Sequence, residues 1–208
     1  MNFLAHCLIG AEAGRLQPAR GPLIAGGFLG DFVKGTIPTD MPESLAIGVR
    51  LHRRVDAYSN RQPLIRVSCE RFPAPLRRFA PVFVDIIADH VLACAWSDHH
   101  DASLDVFTGD VYDVIESHRD WLPEPGAEFL DYARDTDLFA RYRHWSVIER
   151  SLHSVARRIR RPELGAEVAA VSVELLDDLT KDFDAYFPDI LRHAREWIGE
   201  HGQPFRVR

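Results

Sequence analysis

The chain has 208 residues, 46% hydrophobic and 27% charged, which suits one globular domain with a substantial core. Its 25 basic and 31 acidic residues leave a formal net charge of −6, against the basic excess of a general nucleic-acid binder. Cys7, Cys69 and Cys94 are widely spaced among apolar residues with no CxxC pair, a pattern of reduced cytoplasmic thiols that argues against a disulfide framework and a structural zinc site.

The N-terminal stretch MNFLAHCLIGAEAGR lacks a basic leader and carries His6 inside its apolar part, so it reads as a helix capped by Asn2 and not as a signal peptide. No run in the chain reaches the length of a membrane span. In GPLIAGGFLGDFVKG, Pro22 and Gly35 bracket a short helix. A third helix opens at Pro42 and aligns Leu45, Val49, His52 and Asp56 on one stripe. The strongest apolar helix is expected over 74–97, where Pro81 either kinks it or marks its first turn. Beyond the polar loop SDHHDAS, helices are expected at about 103–122, 127–144 and 146–160. A long final helix follows at 163–199, bent or broken at Pro188. No strand alternation and no repeat is present. The expectation is an all-α fold, a single helical domain over 1–208.

Ionisable residues on apolar helix faces need a reason, because an unpaired buried charge is costly. His6, Asp31, His52, Asp56, Asp85, Asp89 and His90 are all of this kind. Asp85 and Asp89 stand one helical turn apart on one face, with His90 beside them, and carboxylates with imidazole suit a divalent cation. The plainer alternative remains open at each position. Asp85 could pair with Arg77 or Arg78, a histidine on an apolar face is often a satisfied core residue, and LHRRVD could be an exposed ion-pair face. The HHD at 99–101 sits in a polar loop with no apolar helix behind it, and His118 reads as a surface residue.

Four stretches, MNFLAH at the start, GDFVKG at 30–35, LHRRVDAYS at 51–59 and VDIIADHVLACAW at 84–96, together resemble the acyl carrier protein phosphodiesterases, a family regarded as divergent relatives of the HD-domain phosphohydrolases. Over 98–208 the likeness is mainly in helical character, with FARYRHW at 139–145 the closest local match. The resemblance implies an HD-like helical hydrolase that uses Mn²⁺ or Mg²⁺ to remove 4′-phosphopantetheine from holo acyl carrier protein. It carries the metal site over to His6, Asp31, Asp85, Asp89 and His90, with His52 a further candidate. The order Asp89-His90 reverses the usual His-Asp doublet.

On this reading a divalent ion activates water and neutralises phosphoryl charge. His52 acts as ligand or proton carrier, Asp56 orients it, and Arg53 or Lys34 steadies the phosphate. The implied partner is a small acidic protein, for which RRIRRP at 157–162 and the group Arg50, Arg53 and Arg54 are two basic candidates. Two other functions stay open: hydrolysis of a small nucleotide or other phosphoester, and a non-catalytic helical module that binds an acidic partner.

Overall fold

Between Asn2 and Gly14 nearly every side chain is apolar, and such a helix has no face to give to water. The computed structural model, which describes residues 1–15 and 20–202, makes this stretch α1 (Phe3–Ala13), buried along almost its whole length. Next come α2 (Arg20–Leu29) and α3 (Glu43–Ser59). They cross at their glycines: a methyl group on Gly26 would collide with the backbone of Gly48, so the two helices approach backbone to backbone.

The chain continues through α4 (Pro63–Arg71), α5 (Ala74–Arg77) and α6 (Ala80–Cys94), then α7 (Leu104–Glu116), α8 (Glu124–Asp135) and α9 (Leu138–Arg141). It ends in α10 (Trp145–Arg158), α11 (Leu164–Glu174) and α12 (Leu176–His201). Among the described residues there is no strand, as the all-α expectation required. One apolar core runs from Met1 to Ile198. α1 packs against α2, α3, α6 and α12, while α10 lies on α6 and α11. No described helix is long and apolar enough to cross a membrane.

Several boundaries differ from expectation. The helix expected over 74–97 is split, and Pro81 lies in the first turn of α6, where its missing N–H costs nothing. The helix expected over 127–144 breaks at Asp137, which adopts a left-handed conformation with φ 46°, tolerated by aspartate. The one expected over 163–199 breaks at Leu175, with no glycine or proline to signal it. Pro188 does not break α12. The helix runs through it, with Tyr186, Phe187 and Ile190 buried around it, so core packing offsets the one backbone bond that proline removes. α4 was not foreseen.

Candidate metal centre and adjoining cavity

Because α3 is regular, His52 and Asp56 project one turn apart from the same face. That face meets α1, which supplies His6. The Nε2 of His6 lies 3.0 Å from Oδ1 of Asp56, and Nε2 of His52 lies 3.4 Å from its Oδ2. One carboxylate thus spans two imidazoles, whose rings stack with centroids 3.9 Å apart. His52 is oriented from behind: its Nδ1 donates to the carbonyl of Gly27 at 2.8 Å. A carbonyl only accepts, so Nδ1 carries the proton of that bond and Nε2 is the ring nitrogen left to face Asp56. The ring rests directly on Gly30, where any side chain would occupy its place.

Burial, reinforced by His52, pushes the His6 imidazole down to about 3, so the ring is neutral at physiological pH. Burial alone would raise the Asp56 carboxyl, but its hydrogen bonds with His52 and His6 outweigh it and hold the group well below the usual carboxylate range. Two imidazoles and an ionised carboxylate form a donor set for a divalent cation. Among the described residues this is the one group whose ligand atoms, all within 4.8 Å of one another, could share an ion. Donors about 2.1 Å from a six-coordinate ion stand about 3.0 Å apart when adjacent, so the observed 3.0 and 3.4 Å separations fit.

The structure places the other candidates around this triad in different ways. Asp31 follows α2 and is half-buried. Burial pushes its carboxyl up, with His52 pulling against it. Lys34 is exposed in the same loop, and Arg53 braces that loop by donating to the Val33 carbonyl at 2.8 Å. Asp85 lies 2.9 Å from the Met1 amino group, which is itself 3.6 Å from Asp56. Neither Arg77 nor Arg78 pairs with Asp85.

Asp89 is fully buried and takes the backbone N–H of Leu4 at 3.0 Å and of Ala5 at 2.9 Å, one on each oxygen. The Asn2 side chain makes no capping bond. The start of α1 is therefore capped across the fold by α6. Burial pushes the Asp89 carboxyl up to about 7 against the pull of those two donors. His90 faces another way: its Nδ1 donates to the Tyr142 carbonyl at 2.7 Å and its ring meets Trp145 edge-on. Asp89 and His90 are not brought into the group formed by His6, His52 and Asp56.

A cavity of about 710 Å³ adjoins the triad through Met1, with Asp31 and Asp85 in its lining. Phe3, Ile86 and Phe129 give it apolar wall, and one side is the face of α10 bearing Arg150, Arg157 and Arg158. The contribution of Arg150 escaped the sequence reading. Its only signal was helical spacing, since 150, 154, 157 and 158 fall on one stripe.

The family model for acyl carrier protein phosphodiesterases matches residues 1–190. Proteins named acyl carrier protein phosphodiesterase from Salmonella newport, Salmonella heidelberg and Salmonella typhimurium are each 30% identical to this chain over 191 residues, covering 90% of it and 88% of their own length. No solved structure matches the chain.

Proposed function

The chain belongs to the acyl carrier protein phosphodiesterase family, and from that premise we propose that it frees 4′-phosphopantetheine from holo acyl carrier protein with Mn²⁺ or Mg²⁺ held by His6, His52 and Asp56. The observation that carries the metal assignment is the convergence of three donor atoms from α1 and α3 within 4.8 Å. When bound, the cation lowers the pKa of water toward neutrality and offsets charge on the phosphoryl oxygens.

The protein's own residues supply the rest. Gly27 and Gly30 fix the His52 ring so that Nε2 faces the triad. Asp31 lines the cavity beside it, and its raised carboxyl suits it to pass a proton to the departing serine oxygen. Lys34 is the cation of that loop available to the phosphate. Arg53, spent in part on the Val33 carbonyl, holds the loop in place. Asp89 fixes the start of α1 and, two residues on, the position of His6. The cavity gives the pantetheine arm a partly apolar enclosure.

The test is release of 4′-phosphopantetheine from holo carrier protein, followed by mass spectrometry, beside a panel of nucleotides. Turnover of the carrier that stops with EDTA and returns with Mn²⁺ or Mg²⁺ is expected. Full activity in metal-free protein, or turnover of nucleotides alone, would overturn the proposal.

A further inference from the structure

The arginines among the described residues differ in what holds them. Most have a partner: Arg50 with Glu43, Arg119 with Asp131, Arg134 with Asp113, Arg143 with Asp105, Arg161 with Glu163 and Arg71 with Asp182. The basic group near the triad is engaged as well, Arg53 on the Val33 carbonyl and Arg54 on His193. Arg150, Arg157 and Arg158 differ in lacking a carboxylate partner, Arg150 donating only its Nε to the Ser146 carbonyl at 3.2 Å. All three are exposed, none has a carboxylate within 4.0 Å among the described residues, and all three line the cavity that also contains Asp31 and Asp85. In a chain with 31 acidic residues and a net charge of −6, three unneutralised guanidinium groups gathered on one helix face are a local reversal of sign.

We propose that the Arg150–Arg157–Arg158 face of α10 is the docking surface for an acidic face of the carrier-protein substrate. This rests on the family reading above and extends it from the reacting phosphate to the protein that bears it. The dimensions favour a protein over a lone phosphate. Residues 150 and 157 are about 10 Å apart along the helix axis, at 1.5 Å per residue, which spreads the charge along two turns of α10. That spacing matches carboxylates two turns apart on a partner helix. Ser151 and Ser154, also in the cavity lining, add short hydrogen-bonding groups between the arginines. Opposed rows of charge accelerate encounter and select the partner. The packing of α10 rests on other residues, Val147, Ile148, Leu152 and Val155, so its arginines are free to serve the surface.

The test combines binding and turnover. Binding of fluorescently labelled holo carrier protein is measured by anisotropy at several salt concentrations. Turnover of the carrier and of a small diester, bis(p-nitrophenyl) phosphate, is measured with Mn²⁺ present. Replacing the three arginines by glutamate (Arg150→Glu, Arg157→Glu, Arg158→Glu) should weaken carrier binding at least tenfold and flatten its salt dependence. The loss on the small diester should be far smaller, and the circular dichroism should be that of the parent. Arg50→Gln should bind the carrier as the parent does. Parent-like binding by the triple variant, or an equal loss on carrier and small diester, would overturn the proposal, the second result assigning the arginines to the phosphate instead. Arginine-dependent binding without release of phosphopantetheine would leave the docking face standing and overturn the hydrolase reading alone.

Discussion

α3 and α6 bear the same anomaly in sequence. Each sets ionisable residues one turn apart on an otherwise apolar face, His52 and Asp56 on α3, Asp85 and Asp89 on α6 with His90 beside them. In the fold they do different work. The α3 pair meets an imidazole from α1, and the three donors close on one point. The α6 residues diverge: Asp85 goes to the Met1 amino group, Asp89 to the first N–H groups of α1, and His90 to the Tyr142 carbonyl on the far side. An ionisable residue on an apolar face signals that something polar must be satisfied. It does not say whether that something is a ligand or the protein's own backbone. What separates the two helices is their neighbour: α3 faces a second donor side chain, whereas the Asp89 carboxylate faces helix-end donors.

The comparison can be broken most sharply on α3. Asp56→Ala and His52→Ala should each cut phosphopantetheine release by about a thousandfold or more, since both remove a proposed ligand, while circular dichroism keeps the parent helix content. A fall of less than tenfold in either would remove that residue from the centre. On α6, Asp89→Ala should act first on stability. It strips two buried N–H groups of their acceptor, at about 1–3 kcal/mol each, so the urea midpoint should drop and activity decline with the folded fraction. An Asp89→Ala protein of full stability but no activity would make Asp89 a chemical group after all.

Asp89 also has a pH signature. Its carboxyl is raised from 3.8 to about 7 in the fold, mainly by burial, so the folded state binds the proton more tightly than the unfolded chain. Its contribution to stability is complete below about 4 and is lost as pH rises through about 7. Asp89→Asn should flatten unfolding free energy over that window, and an unchanged pH profile would contradict the assignment. The smallest effect is expected at His90. His90→Gln keeps a donor for the Tyr142 carbonyl and should change turnover less than threefold. A loss comparable to that of His52→Ala would place His90 in the chemistry and erase the contrast between the helices.

The helical class was legible because apolar residues recur at helical spacing through most of the chain. The breaks were less so. Pro188 is a strong local breaker overruled by buried neighbours, while Leu175 ends a helix with no local signal at all. Within the site, the residue types stood out one by one, but their meeting did not. His6 and His52 are brought together through α2 and the residue after it, Gly27 lying against the His6 backbone and Gly30 under the His52 ring, and a glycine in a sequence does not name the backbone it lies against. Asp56 was expected behind His52 as its orienting group, and the fold sets it between two imidazoles. Asp89 and Asp56 look alike in sequence, and only the position of the α1 N-terminus distinguishes them. The resemblance in the first 97 residues did extend further than those motifs, since the family match runs through residue 190.

The most direct test of the central claim is a crystal soaked in Mn²⁺ and examined by anomalous diffraction. The account predicts an anomalous peak within coordination distance of His6 Nε2, His52 Nε2 and the Asp56 carboxylate, and its loss in Asp56→Ala. A peak at the Asp85–Asp89–His90 turn, or a triad left empty while activity is metal-dependent, would contradict it.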